Sequence, residues 1–573
     1  MKRIYLLITL YAISILCLIS FAFPATMMIL EWDSFFSATK DFFLMKLSQG
    51  AAINGWMSDY LLQFFKWPVA AAAINALLAS LLCLICVLVL KKLKTGNDLL
   101  EIGVIPVLML LLVFPFQLNL LIEGIAFYAG LLGYLYLKQY RWHFVYAILF
   151  LPLGFLLISI PLLVLFYVLL MVFDYMFTKK TVFLPVYLLC IVTTLCLVKI
   201  VSNQIGYIPF ETRYFYTKSV SGTWYEVVYL LIFLIPLLLT TFKLKNRLLY
   251  FYISVVLILF SVGYTALNQK FKYNEKCYKY VILADNKDWH ELKSLLAEEG
   301  SQANDEINLK YNLLADCALG KLADNLFNYT INNPEEFLFR QDRRAYSCIF
   351  NALFYENAQV YDEAFHQFFE YGLQNINGKS LASLRHCVKY SVKEADFAVA
   401  EKYLDILEQS ILHGSFISEY RHTIDSLRKS GAKPQVPLRA DNFIGGYPFN
   451  SEMVRQLQEY PQNKVYLDYL LCGLLLQKNL PHFKIILENF PLYKNKPLPK
   501  AYAEACAMIR AQNVPFQEGF IYPEEYDQQF RECYQAYSNG DENIAGKYIN
   551  SFWYYYFYAS LPQEIQMSNT SVH

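Results

Sequence analysis

Long runs of apolar residues fill the first half of this 573-residue chain and end at about Asn268. Beyond that point charged residues recur every few positions, and no run reaches the roughly 20 apolar residues that a helix needs to cross a bilayer. The chain is 56% hydrophobic, and its mean hydropathy is +0.30, which is unusual for a soluble protein of this size. The sequence therefore predicts a membrane domain followed by a domain of different character.

The apolar runs predict about nine transmembrane helices. The first run exceeds the roughly 7–15 apolar residues of a signal peptide and is followed by others, so we expect a retained signal anchor. The run 144–173 is too long for one upright span, and we interpret it as a tight hairpin broken near Pro161. If this run formed a single span, the number of spans would be even, and every loop after it would lie on the opposite side of the membrane. The runs are 4–23, 69–90, 103–116, 118–137, 144–173, 182–197, 227–242 and 248–266.

Basic clusters in alternate loops predict the orientation, because cytoplasmic loops of membrane proteins carry an excess of Lys and Arg. With nine spans all the clusters fall on one side, which places the N-terminus in the cytoplasm and everything after residue 266 outside. We expect a protein of the inner (cytoplasmic) membrane with an extracytoplasmic C-terminal domain. The clusters are Lys2/Arg3, Lys91/Lys92/Lys94, Lys138/Arg141, Lys179/Lys180 and Lys243/Lys245/Arg247.

The second half predicts helices throughout, because apolar residues recur at i, i+3, i+4 and i+7 between polar turns. The helices resemble tetratricopeptide-like (TPR-like) pairs, although the full repeat signature is missing. The predicted fold is thus all-α, a polytopic helix bundle followed by a TPR-like repeat domain. The predicted domains are a membrane domain at 1–268, helical repeats at 269–428, a Pro/Gly-rich linker at 429–450 and further repeats at 451–573.

Two long loops, 24–67 and 200–225, are predicted on the outer side, and they carry the candidate site. Glu31 and Asp33 begin the first loop, and a carboxylate there could deprotonate an acceptor hydroxyl or, as the alternative, simply be a solvated helix start. Phenylalanines alternate with charges between residues 33 and 43, which predicts a helix on the membrane surface. Lys66 or Arg213 could bind a lipid phosphate. The candidates for binding a substrate are these two residues together with Glu123 and Glu211.

A first span followed by a long external loop with acidic residues and then by short hairpin spans resembles the GT-C class of membrane glycosyltransferases. The matching residues are Glu31, Asp33 and the segment GWMSDYLLQFFKWP, whereas the adjacent Asp-Glu pair of that class is replaced by Glu-Trp-Asp. The resemblance implies catalysis by Glu31 and Asp33, a donor sugar on a polyprenyl phosphate and, where carboxylates act as ligands, a divalent metal ion. From the residues themselves we assign no metal site, and the cofactor is unknown.

A second resemblance is to bacterial polytopic membrane proteins of unknown function that carry a helical-repeat tail. It rests on YLDYLLCGLLLQKNLPHF at residues 466–483 and FWYYYFY at residues 552–558, and it implies no activity. The alternative function is therefore a scaffold without enzymatic activity, whose TPR-like domain assembles envelope proteins. The expected partners are the lipid bilayer and envelope proteins. The formal charge of +1 gives no field for binding nucleic acid.

Overall fold

The computed structural model is all-helical over the residues that it describes. These are residues 2–48, 51–93, 100–137, 141–178, 183–205, 223–239, 247–298, 306–331, 345–375, 378–431, 449–541, 543 and 546–560. Within them no strand occurs, and one isolated bridge pairs Pro497 with Ile521. The predicted all-α fold is thereby confirmed. Most of the predicted linker 429–450 and of the second loop 200–225 lies outside the described residues.

Thirteen α-helices of the described chain cover its first half, up to residue 285. A π-helical turn, Leu18–Ala22, extends the first helix, and 3-10 turns lie at Gln63–Lys66 and Leu100–Val104. The helices are α1 Lys2–Cys17, α2 Pro24–Asp33, α3 Lys40–Ser48, α4 Ala52–Leu62, α5 Pro68–Lys92, α6 Ile105–Val113, α7 Leu118–Tyr136, α8 Arg141–Leu157, α9 Ile160–Thr178, α10 Leu184–Ile205, α11 Thr223–Leu239, α12 Arg247–Leu267 and α13 Gln269–Asp285.

The remaining described helices have between 4 and 16 residues. They are α14 Trp289–Glu298, α15 Glu306–Ala318, α16 Leu322–Asn325, α17 Ala345–Asn357, α18 Tyr361–Leu373, α19 Leu381–Lys393, α20 Phe397–Glu408, α21 Gly414–Lys429, α22 Phe449–Glu459, α23 Lys464–Leu476, α24 Leu480–Asn489, α25 Lys500–Ala511, α26 Glu525–Asn539 and α27 Phe552–Tyr558.

The chain forms two compact units. The first unit comprises Met1–Tyr278 together with two later segments, Lys379–Leu381 and Leu404–Glu419. The second comprises Lys279–Gly378, Ala382–Tyr403 and Tyr420–His573. Because two short segments from the helical half belong to the first unit, the units do not coincide with two halves of the sequence.

Four helices among the described residues are long and apolar enough to cross a membrane: Lys2–Ala22, Pro68–Lys92, Leu118–Tyr136 and Leu249–Leu267. Five shorter apolar helices lie at Leu100–Val113, Trp142–Leu157, Ile160–Met176, Leu184–Leu197 and Val227–Leu239. The run 144–173 thus forms two helices, which separate at Ile158 and Ser159, close to the expected break. The count of nine spans stays a prediction.

Close packing in the first unit depends on glycines where helices meet. A Cβ atom added at Gly124 of α7 would lie 2.6 Å from the Phe233 ring of α11. A Cβ at Gly103 would lie 2.4 Å from the side chain of Val87 in α5. Neither distance is compatible with a side chain, so the bare backbone sets the helix separation at both crossings.

Helix pairs of the second half repeat one kind of turn. The pairs α13/α14, α17/α18, α19/α20 and α23/α24 each turn through a non-glycine residue with a left-handed backbone. Their φ values lie between 54° and 63°. The left-handed conformation ends a helix after its last turn, although glycine is its usual occupant. In two of these pairs, α17/α18 and α23/α24, the turn brings the helices into contact as a hairpin. The four residues are Lys287, Gln359, Ala395 and Lys478.

Candidate functional site

The first predicted loop folds into three helices. Helix α2 begins with Pro24, whose fixed φ suits the first turn of a helix. The carboxylate of Glu275 accepts hydrogen bonds from the backbone N–H groups of Ala25 (2.8 Å) and Thr26 (2.7 Å). A carboxylate at this position satisfies N–H groups that have no partner inside the helix and interacts favourably with the helix dipole. Helix α2 therefore depends on a residue 250 positions away in the chain.

Both residues predicted to be catalytic lie in the last turn of α2. The side chain of Glu31 is buried, with 1% exposure. Asp33 is half-buried near Tyr278, where burial and, next, the negative charge of Asp33 raise the pKa of the tyrosine. Residues two apart on a helix do not face each other. Helix α2 thus directs the two carboxylates to different sides, whereas a shared metal ion or hydroxyl would require them to converge.

A buried ion pair joins the next two helices of the loop. Nζ of Lys46 in α3 lies 2.5 Å from Oδ2 of Asp59 in α4, and their side chains are 2% and 10% exposed. Desolvated charges of this kind need each other, because either one alone would remain buried without compensation. The pair was missed in the sequence, although a lysine between Met45 and Leu47 is a signal of a charge surrounded by apolar groups.

Aromatic side chains fill the interior of the loop. The ring of Phe36 lies 5.1 Å from Trp56 and 5.4 Å from Tyr60, between ring centroids, and it contacts Phe42 at 6.2 Å. Phe35, Phe36 and Phe42 are all buried. These residues were expected on the membrane surface, but they form a small core because α3 and α4 pack against each other.

Two segments of the helical half pack against this loop within the first unit. The backbone N–H of Leu381 donates to the carbonyl of Ser34 (2.8 Å), and Ala38 donates to the carbonyl of Gln409 (3.2 Å). The hydroxyl of Ser410 donates to Oε1 of Gln63 at 2.7 Å. The extended stretch after α2 therefore exchanges backbone hydrogen bonds with residues far along the chain. Sequence periodicity contains no signal for such pairing.

Glu123, predicted to bind substrate, is buried and hydrogen-bonded between helices of the first unit. Its side chain is buried, with 1% exposure, and its Oε1 accepts the backbone N–H of Ser159. Ser159 immediately precedes α9, so Glu123 caps the N-terminus of that helix, where a negative charge is favourable. Tyr229 of α11 also bonds to the carboxylate. Glu123 thus joins three helices, a structural role that the sequence did not indicate.

The other predicted binding residues are dispersed or lie outside the described chain. Lys66 is exposed, and its Nζ lies 5.9 Å from the centre of the Trp67 ring. Glu211 and Arg213 lie outside the described residues. In the part of the chain that the structure describes, no three His, Cys, Asp or Glu side chains are arranged to hold a metal ion.

A second buried polar cluster was missed in the sequence. Asp174 of α9 accepts from the hydroxyls of Tyr134 and Tyr187 (2.5 Å for Tyr187), and its Oδ1 lies 2.9 Å from Nδ1 of His143. These side chains belong to α7, α8, α9 and α10, so one carboxylate joins four apolar helices. An aspartate directly after an apolar run is a signal of such a cluster, but the sequence analysis did not single out Asp174.

Comparisons with known proteins give a family and no activity. No curated protein and no solved structure matches the chain. A family model does match, and it extends over residues 1–559, which cover the first compact unit and most of the second. Because the match covers nearly the whole chain, the protein belongs to DUF6057, a family of unknown function.

Proposed function

We propose that this protein is a multi-pass scaffold of the bacterial inner membrane. In this proposal the apolar helices of the first unit cross the membrane, and helical hairpins of the second unit bind envelope proteins at the outer face. The observation that carries the scaffold role is that charged side chains of the first loop are buried or paired inside the loop. Glu31 is buried, and Lys46 pairs with Asp59 inside the loop. A catalytic base must instead reach the proton that it abstracts.

Exposed aromatic side chains support insertion in a membrane. They lie at both ends of the apolar helices, where Trp and Tyr occur at membrane–water interfaces. Ring contacts indicate which helix ends lie together, since Phe23 meets Phe116 (5.3 Å) at one end and Lys92 lies 4.4 Å from the Tyr136 ring at the other. The exposed residues are Phe21, Trp67, Trp224, Tyr225 and Tyr264 at the first end, and Tyr5, Tyr136, Trp142, Tyr175 and Tyr252 at the second.

Contacts that follow the first and last apolar helices support the proposed topology. Helix α2 begins just after Lys2–Ala22, and α13 begins just after Leu249–Leu267. Glu275 of α13 caps α2, so the C-terminal ends of these two apolar helices lie close together. From the end of the first span to the end of the last one the chain must then cross the membrane an even number of times, and the first span adds one more. This supports an odd total, as the basic clusters also do.

Labelling of engineered cysteines tests the topology. Ser430→Cys and Lys91→Cys place a thiol at exposed positions that the proposal assigns to opposite sides of the membrane. In spheroplasts a membrane-impermeant maleimide should label Ser430→Cys, while Lys91→Cys should react only after lysis. The reverse pattern would contradict the orientation, and labelling of both before lysis would contradict membrane insertion.

Complementation tests scaffold against transferase. We expect Asp33→Asn and Glu31→Gln each to restore the wild-type phenotype to a deletion strain. A scaffold needs the fold of the loop and does not need a reactive carboxylate. Asp41→Asn, at an exposed acid in the same loop, is the matched control. If Asp33→Asn and Glu31→Gln fail at normal protein levels while Asp41→Asn complements, the GT-C-like transferase becomes the better account.

A further inference from the structure

A short extended segment of the second unit, residues 519–522, is hydrogen-bonded along one side. It pairs with the stretch before α25 through a parallel bridge at Ile521. The carbonyl of Ile521 accepts the backbone N–H of Leu498 (2.9 Å), and the carbonyl of Gly519 accepts that of Asn495 (2.7 Å). The segment is thus held in place as a strand would be, with its other side turned away from this pairing.

Backbone groups on that other side can bind a further chain. In an extended chain the N–H and C=O groups of successive residues point alternately to opposite sides. Since Gly519 and Ile521 bond to one side, the groups of Phe520 and Tyr522 point to the other. Within the described chain no backbone hydrogen bond reaches these groups. This outward edge therefore offers two N–H donors and two C=O acceptors.

Side-chain contacts fix the segment and leave an apolar side chain exposed. The ring of Phe520 lies 5.5 Å from Phe516, between ring centroids, and the hydroxyl of Tyr522 donates to Asp527 at 3.1 Å. Side chains alternate between the two faces of an extended chain, and Ile521, between these two aromatic residues, is 53% exposed. A partner would meet a segment that is already ordered, which reduces the entropic cost of binding.

The ends of the segment limit the length of a partner and select its charge. Gly519 has a φ of 106° and turns the chain at one end, while Pro523 at the other end has no N–H to continue the edge. Glu518 and Glu524 lie just beyond these ends, both exposed, and neither forms an ion pair within the described chain. A complementary partner is therefore short, apolar in its middle and basic at its ends. A second copy of this chain would instead bring like charges together.

We propose that the outward edge of the segment 519–522 binds an extended peptide of a partner protein by β-strand addition. In this mode main-chain hydrogen bonds provide affinity, and side chains of alternate residues provide specificity. Phe520 and Tyr522 supply the hydrogen bonds, Ile521 contacts an apolar side chain of the peptide, and the two acids attract its basic ends. The proposal rests on the scaffold function proposed above, because it names the kind of segment that a bound protein presents.

Binding of a synthetic peptide to the purified full chain in detergent tests this edge. The probe is a heptapeptide with lysine at both ends and valine and threonine alternating between them, and fluorescence anisotropy measures its Kd. Two control peptides carry N-methyl groups on alternate residues, one set in each. Because an extended peptide presents only alternate N–H groups to the edge, one control should bind like the probe and the other about tenfold more weakly.

Variants of the chain separate this edge from general adhesion. Ile521→Lys should weaken binding about tenfold, because it replaces an apolar contact by a charge of the same sign as the peptide ends. Ile549→Lys, at a 59% exposed isoleucine of the same unit, is the matched control and should leave the Kd unchanged. Glu518→Gln combined with Glu524→Gln should weaken binding several-fold at low salt and little at high salt. Melting temperatures identify folding failure, and Ile521→Thr then serves as a milder replacement that should act in the same direction.

The results that would overturn the edge differ from those that would refute the scaffold. No binding of the probe at millimolar concentration, or equal effects of the two N-methylated controls, would overturn pairing through the backbone. Equal Kd values for Ile521→Lys and Ile549→Lys would overturn the site, and self-association that is lost in Ile521→Lys would make a second copy the occupant. Failure of Asp33→Asn and Glu31→Gln in complementation would instead refute the scaffold role without altering peptide binding.

Discussion

The aromatic helix α27 is docked on a buried carboxylate, and its stability should depend on pH. Oε2 of Glu504 in α25 accepts the backbone N–H of Phe552 at 2.7 Å, and the indole N–H of Trp553 donates to the carbonyl of Glu504 at 2.7 Å. Burial raises the pKa of Glu504 to about 7, although the Phe552 N–H and the charge of Lys500 both act to lower it. The protonated carboxyl is thus the better-tolerated form in the docked state.

The sign of the pH effect follows from proton binding. Between the ordinary pKa of 4.5 and about 7, the docked state holds a proton that the undocked state has released. Docking is therefore most favourable below pH 4.5, weakens as the pH rises through 7, and then levels off. At about 1.4 kcal/mol for each tenfold change in proton affinity, the full loss is about 3 kcal/mol.

Glu504→Gln removes the ionisable group but keeps an oxygen that can accept from Phe552. At pH 8 we expect α27 in the variant to be more stably docked than in the wild type by about 1–3 kcal/mol, because no charge is buried. At pH 5 the two proteins should differ little or the wild type should be the more stable. The pH dependence should therefore be much smaller in Glu504→Gln than in the wild type.

Hydrogen exchange of the peptide that contains α27 measures this local stability. The full chain in detergent is compared from pH 5 to pH 8.5, with exchange rates corrected for the intrinsic effect of pH, to give an opening free energy. Glu525→Gln, an exposed acid at the start of α26, is the matched control and should behave as wild type. A flat wild-type profile, or protection that increases with pH, would refute the assigned role of Glu504.

Three other predictions concern the folding of both units. Lys46→Met should lower the free energy of unfolding by about 3–5 kcal/mol, because it leaves the buried carboxylate of Asp59 unpaired. Lys40→Met, at an exposed position of the same helix, is the control and should leave the melting temperature nearly unchanged. Gly124→Ala should cost about 1–3 kcal/mol through overpacking, whereas Gly263→Ala meets no atom within 4 Å and should be neutral or stabilising; equal melting temperatures would contradict this. All twelve cysteines are free, so reductant should leave the melting temperature of the purified chain unchanged, and a fall of many degrees would show that disulfides form.

Helical structure and its apolar or amphipathic character were determined by the sequence alone. A run such as 69–90 has few alternatives to a buried helix, because its backbone groups must bond internally once its side chains leave water. The hairpin at 144–173 was predictable for a related reason, since its length and Pro161 are incompatible with one straight span. Local composition acts within one or two turns of helix, so it can be read without knowledge of distant residues.

The roles of individual charged residues were decided by tertiary structure. Glu31 and Asp33 resemble a catalytic pair in a sequence, but α2 directs them to different sides, and Glu275 needed for α2 lies far along the chain. The turns of the helical hairpins were also hidden, because residues such as Lys287 and Ala395 occupy a conformation that usually indicates glycine. A charged side chain is stable wherever a partner compensates its desolvation, and that partner is set by packing between elements. The sequence therefore determined which segments are helices, whereas packing determined which charges are structural.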